Sequence, residues 1–330
     1  MKEQSDIIIV NYHGGFEKCV EHNDKFTEKD TKENQGSQLI NTFDSIDILF
    51  SWHQHREIIT KINNTIISQP LNNGQFVSNV LIDTDTKEVI DYKLINSKEN
   101  EVDTEVTDYF DDVNDNCNKY LDKVIYNLDQ DLTIKDVPKA RLEGHLGFNL
   151  LNTVFTDYMK SDISSFSVFD QAVGYSKDIT IREIIMNYPF PNTLVNIKVS
   201  GKEIKEAIRQ SYRYYVLENN EIVVNNKYIF PKKQHYNYDI FMGVKYEVII
   251  KEEGNDVIIS TINNEPYDED KEYILTISNY RHTNNEKFPI YKGKEMLKES
   301  TDDSISILIE YFMSHKDIPY EKEINFKVSK

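Results

Sequence analysis

Two short histidine-bearing segments are the parts of this chain best equipped for chemistry. Asp47-Ile-Leu-Phe-Ser-Trp-His-Gln-His-Arg56 runs from an apolar, strand-like stretch straight into His53 and His55, followed by Arg56. Asp6-Ile-Ile-Ile-Val-Asn-Tyr-His-Gly-Gly-Phe-Glu17 has the same form and ends at His13. In a loop at a strand end, side chains at i and i+2 can converge on one point. Two neutral imidazoles meeting there suit Zn²⁺ or another transition metal. The three histidines could equally be solvated loop residues that hold no metal.

The elements that must position these residues follow from apolar patterning. Residues 7–10 and 48–50 are continuous apolar runs, the mark of buried strands, and residues 38–43 form a helix end between them. If further elements that would cover these two strands are missing, both expose apolar surface. From 58 to 91 four β-like runs are separated by Asn63-Asn64 and Asn72-Asn73-Gly74 turns. An acidic helix follows. Val106, Phe110, Val113, Cys117, Tyr120 and Val124 recur every three or four residues and give it one apolar stripe, which fits a connector between domains. Beyond it, helices are predicted at 146–159, 201–217 and 301–315, and strands at 165–169, 193–199, 246–250, 257–262 and 273–278. Thr180-Ile-Arg-Glu183 has the capping-box spacing of a helix start.

Composition narrows the function. With 330 residues the chain is long enough for two domains with proper cores. A net charge of −18 supplies no basic field to offset phosphate repulsion, so nucleic-acid strands and anionic membranes are poor partners, while a free nucleotide can still be met by a local pocket. Cys19 and Cys117 lie far apart, form no metal or redox motif and read as ordinary thiols in a reducing compartment. No stretch reaches membrane length and the first residues do not form a signal peptide, so the expected location is cytoplasmic.

The histidine segments together resemble the closing half of the metallophosphoesterase domain of the 5′-nucleotidase family, which includes UDP-sugar hydrolases and 2′,3′-cyclic-nucleotide phosphodiesterases. There one strand ends in His-x-Gly and a later one in Gly-His-x-His; here Trp52 replaces the glycine. The C-terminal half carries a broader likeness. Leu142-Glu-Gly-His-Leu-Gly-Phe-Asn149, Tyr188-Pro-Phe-Pro-Asn-Thr-Leu194, Val199-Ser-Gly-Lys-Glu-Ile-Lys205, Tyr236-Asn-Tyr-Asp239, Ser278-Asn-Tyr-Arg281 and Phe288-Pro289 occur in the order of that family's C-terminal domain, most like its cyclic-phosphodiesterase branch.

The resemblance implies an α+β fold: the remnant of a four-layer α/β/β/α metallophosphoesterase domain at 1–104, a connector helix at 105–127, and an α+β 5′-nucleotidase C-terminal domain at 128–330. It implies a divalent metal, Mn²⁺, Zn²⁺ or similar, with His13 and His53 as ligands of one ion and His55 of a second. The family's opening Asp-x-His, its bridging aspartate and its Asn-His pair have no counterpart here, so the chain is expected to be N-terminally truncated, with metal binding weak or absent. By the same resemblance Tyr238 and Tyr280 would enclose a nucleobase, with Arg281 the nearest cation for phosphate. The family's glycine-rich loop is replaced by His282-Thr-Asn-Asn-Glu-Lys287. The implied function is metal-dependent hydrolysis of phosphate esters of 5′- or 2′,3′-cyclic nucleotides. The alternative is a non-catalytic nucleoside- or nucleotide-binding module, or one half of a split enzyme whose partner chain supplies the missing N-terminal half.

Overall fold

The structure, a computed structural model, describes residues 5–20, 32–284 and 287–330. Strands and helices are both abundant, and the chain divides into two compact units, residues 1–109 with 229–233, and residues 110–228 with 234–330.

The first unit is built on a four-stranded sheet in the order β1 (Ile9–Tyr12), β2 (Ile48–Ser51), β4 (Thr65–Pro70), β3 (Glu57–Ile62). β1, β2 and β4 run parallel, and β3 returns antiparallel on β4. A strand between parallel neighbours has both faces covered, which explains the uninterrupted apolar run at Ile48-Leu49; these residues are 1% and 0% exposed. The expectation that both apolar strands are uncovered thus fails for β2. It holds at the sheet's edge, where Ile9 of β1 is 50% exposed. Helix α1 (Gly36–Thr42) places Ile40 in a small core with Phe16, Val20, Ile46, Leu49, Ile58 and Ile67. The hairpin of β5 (Phe76–Ile82) and β6 (Val89–Asn96) forms a separate two-stranded ladder.

Helix α2 (Thr104–Leu121) carries the apolar stripe read from sequence, although Val124 already belongs to the next strand. None of its residues is buried, and Val106, Phe110, Val113 and Tyr120 are all exposed. It is not long and apolar enough to cross a membrane, nor is any other described helix.

The second unit has two main sheets. The five-stranded one runs Asp239–Met242, Ile163–Ser167, Glu272–Ser278, Leu194–Ser200, Met296–Glu299. The four-stranded one pairs Val244–Ile250 with Asn255–Ile262 on one side and, in parallel, with Phe326–Ser329 on the other. Helix 201–211 packs in a tyrosine-rich cluster with Tyr212, Tyr214, Tyr215, Tyr238 and Tyr246, while helices 146–159 and 304–314 share a second cluster around Phe155, Phe166 and Phe312. Helix starts are legible in sequence. Thr180 with Glu183 and Ser200 with Glu203 both close reciprocal capping boxes. Asp303 accepts from the Ile305 and Ser306 amides at 2.9 and 3.1 Å. The predicted helix over 201–217 stops at Ser211. Tyr212 and Tyr214 form a 3₁₀ turn that buries both rings, and Tyr215 enters a strand.

Candidate functional site

In the first unit, sheet register brings the histidine loops together. Tyr12 pairs with Ser51 across parallel strands, so the chain leaves both at the same end of the sheet. The rings of His13 and His53 then meet edge to face, with centroids 5.7 Å apart. The loops are tied by an uncharged residue between the histidines. The buried Gln54 amide accepts from the Phe16 N–H at 2.9 Å and donates to the Phe16 carbonyl at 3.0 Å. Gly15 makes room for it, because a Cβ there would sit 2.2 Å from the Gln54 side chain. Asn34 Oδ1 takes the Gly15 N–H at 2.6 Å, and the Glu17 carboxylate caps α1 through the Ser37 and Gln38 amides.

His53 and His55 both have positive φ, +64° and +53°. That is uncommon for residues other than glycine. Directly after Trp52, the turn is made by the histidines themselves. His53 Nε2 is 2.8 Å from Glu33 Oε1, an ion pair when the ring is protonated. Burial lowers the His55 pKa below its ordinary value, and the charges of Lys232, His53 and His13 push it the same way. Three histidines therefore share one neighbourhood. Among the described residues, however, no group of three or more His, Cys, Asp or Glu side chains is disposed to hold a metal ion. The set as it stands does not fit a paired divalent-metal centre.

In the second unit the predicted aromatic residues fall in different surroundings. Tyr238 is 0% exposed. Its ring stacks on Tyr214 at 4.8 Å, meets Tyr212 edge-on at 5.1 Å, and its hydroxyl donates to the Arg141 carbonyl at 3.0 Å. Burial raises its pKa well above the usual phenol value. A ring with no open face cannot stack on a base unless the core opens. The partner of Tyr280 is instead Tyr236, two residues earlier, and both are partly buried; their centroids lie 6.4 Å apart at an interplanar angle of 68°. The resemblance points to Tyr238, and period-two alternation would put 236 and 238 on one face. Tyr236 sits in a 3₁₀ turn, His235–Asn237, before the strand begins at Asp239, so that alternation does not apply.

Arg281 is buried as well, 4% exposed. It forks onto Asp239, with Nε to Oδ2 and Nη2 to Oδ1 both at 2.7 Å. Burial alone would depress its pKa; the facing Asp239 charge outweighs this and raises it. Asn285 and Glu286 of the loop that replaces the family's glycine-rich segment lie outside the described residues. A cavity of about 250 Å³ opens beside these segments, lined by Asn237, Asp239, Lys287, Phe288 and Tyr291 among others.

These features can be set beside known proteins. The 5′-nucleotidase C-terminal domain matches residues 124–293. A 2′,3′-cyclic-nucleotide 2′-phosphodiesterase/3′-nucleotidase of Haemophilus influenzae is 28% identical over 147 residues, covering 40% of this chain and 22% of that protein. The protein of the same name from Yersinia enterocolitica is 23% identical over 192 residues, covering 52% and 28%. The chain thus spans less than a third of the length of either relative. A Staphylococcus aureus protein assigned as a 5′-nucleotidase, solved in complex with α-ketoglutarate, superposes with a TM-score of 0.86 at 32% identity, over 100% of this chain and 65% of that one. The relatives are phosphoric-ester hydrolases by name. With the domain match covering more than half of its residues and a fold shared along its whole length, the chain belongs to the 5′-nucleotidase family.

Proposed function

We propose that the chain takes a nucleotide through its second unit, with the base between the rings of Tyr236 and Tyr280. The observation that carries this reading is the pairing of two partly buried rings on segments that match the family domain; Asn237, next in sequence to Tyr236, lines the cavity of about 250 Å³. Stacking contributes roughly 1–3 kcal/mol per base. The two rings meet edge to face, so one must turn to admit a base. Turnover of the phosphate ester needs more than His13, His53 and His55. A nucleophile made from metal-bound water requires a metal held with an open position, and the described side chains do not supply that set. This favours a nucleotide-binding module, or one half of a two-chain enzyme, over independent hydrolysis by this chain.

The test is calorimetric titration with adenosine and 5′-AMP, together with phosphate release from 5′-AMP and 2′,3′-cyclic AMP in Mn²⁺ or Zn²⁺. Micromolar to millimolar binding that is lost in Tyr236→Ala or Tyr280→Ala, with release near background, is the expected result. Robust Mn²⁺-dependent release by the purified chain, abolished in His53→Ala, would show that the histidine set is completed by further ligands of this chain or of a second copy.

A further inference from the structure

We infer that Arg281, Asp239 and Ser167 form a buried post that sets the position of the Tyr236–Tyr280 ring pair, making Arg281 a positioning residue and not a contact for phosphate. The inference rests on the reading of those two rings as the base clamp.

Arg281 and Asp239 are nearly closed to solvent, with side chains 5% and 4% exposed. The guanidinium does more than pair with the carboxylate. Nη2 also donates to Ser167 Oγ at 2.5 Å and to the backbone carbonyl of Tyr236. Ser167 Oγ lies 2.6 Å from the same carbonyl and 2.7 Å from Asp239 Oδ1. The Tyr236 main chain is therefore gripped by two groups, one on the strand ending at Ser167 and one on the turn that carries Tyr280. The guanidinium carbon also lies 5.4 Å from the Tyr280 ring centroid and 4.2 Å from that of Phe288. Below, Ser211 Oγ accepts the Asp239 N–H at 2.8 Å and donates to its carbonyl at 2.9 Å, anchoring the post to helix 201–211. One residue thus links both rings. It is bonded in sequence to Tyr280, and its tip holds the backbone of Tyr236.

The physical chemistry favours a geometric role. A buried ion pair is weak evidence for stability, because desolvation can offset its attraction. What a bidentate guanidinium adds is fixed direction, which a lysine cannot reproduce. With Nε and Nη2 committed to Asp239, Ser167 and Tyr236, only Nη1 is left for another acceptor, on a residue that is 4% exposed. With the main chain fixed at both rings, only the turn of one side chain is left to be ordered when a base enters.

The experiment compares adenosine with ribose 5-phosphate, which lacks the base, as calorimetric ligands of the whole chain. Ser167→Ala leaves the ion pair in place and removes one grip on the Tyr236 carbonyl; Arg281→Lys keeps the charge and loses the fork. We expect each variant to weaken adenosine by roughly tenfold or more, the scale set by small misplacements, with ribose 5-phosphate unchanged. If Arg281→Lys does not fold, as judged by circular dichroism, Ser167→Ala alone decides. Adenosine affinity at the wild-type level in the folded variants, with Tyr280→Ala still abolishing it, overturns the post and leaves the clamp standing. Equal weakening of both ligands also overturns it, since that is general distortion. Adenosine binding that survives Tyr236→Ala and Tyr280→Ala removes the clamp, and the post's purpose with it.

Discussion

The two units fix their candidate residues by opposite means. In the first, the histidine loops are tied by one neutral amide, Gln54, which bonds twice to the Phe16 backbone over a small core. In the second, the ring-bearing segments are pinned by a buried charge pair set against a large tyrosine- and phenylalanine-rich interior. A neutral tether brings loops together without demanding a counter-charge. A buried pair demands one, and penalises every arrangement in which either partner is left alone. Among its described residues the first unit gathers histidines without a group of three disposed to hold a metal ion, while the second pins the main chain that carries its rings.

The sharpest way to break this contrast is to strand the buried charge. Arg281→Leu leaves the Asp239 carboxylate without its partner, and removal of one member of a buried pair costs about 3–5 kcal/mol. Urea unfolding followed by tyrosine circular dichroism should show the loss in the second unit. The double variant Arg281→Met with Asp239→Leu should recover most of it. A single-variant loss below about 1 kcal/mol, the range of exposed ion pairs, would mean that the pair is solvated and the contrast with Gln54 is empty.

The neutral tether should matter less. Gln54→Ala leaves the Phe16 N–H and carbonyl without their side-chain partner, and an unsatisfied buried group costs about 1–3 kcal/mol. Trp52 is the only tryptophan and lies in the first unit, so its fluorescence isolates that unit's transition. Gly15→Ala tests the same contact from the other side, since the new Cβ can be accommodated only if the Gln54 side chain moves. A Gln54→Ala midpoint equal to wild type would show that sheet register and the Trp52 N–H bond to the Gly14 carbonyl hold the loops.

The contrast also explains what was readable in the sequence. Features with local causes were legible: the strand ends leading into His13 and His53, the capping residue Thr180, and the turns in which Asn63 and Asn73 take positive φ. The resemblance carried the fold of the second unit for a related reason, because its motifs mark turns and helix starts. Features set by tertiary partners were not legible. Nothing in His53-Gln-His55 says that the middle residue turns inward to Phe16. Nothing in Asn-Tyr-Arg281 says that the arginine is buried, since its partners Asp239 and Ser167 lie 42 and 114 residues away. Nor does Tyr236-Asn-Tyr238 show that the first ring lies in a 3₁₀ turn and the second at its end, fully buried. The histidines' positive φ was equally hidden, since histidine tolerates that conformation but no flanking turn residue marks it here.

The smallest expected effect uses pH to compare the units through one histidine in each. In the second unit His145 caps helix 146–159, its Nδ1 accepting the Gly147 N–H at 3.1 Å. Burial lowers its pKa, with a hydrogen bond to the Thr133 backbone working against the shift. In the first unit the His55 pKa is lowered by burial and then by Lys232, His53 and His13. The sign is the same for both. Each native state holds its imidazole neutral more strongly than the unfolded chain does, so the unfolded chain binds more protons as the pH falls. The stabilisation is complete above the unfolded histidine value of about 6.5 and is lost as pH drops from there through the lower folded value. Protonating His145 also removes the acceptor of its cap, and a cap of this kind contributes about 0.5–2 kcal/mol. His55 is more exposed and caps nothing, so its share is smaller. Urea midpoints between pH 7.5 and 5 should therefore fall more for the second unit than His55 makes them fall for the first. His145→Asn, which keeps a capping acceptor that does not titrate in this range, should flatten the second unit's profile and leave the Trp52-reported profile alone. His55→Gln should do the reverse. Acid sensitivity of the second unit that persists in His145→Asn would locate it in other groups and remove the cap from the comparison.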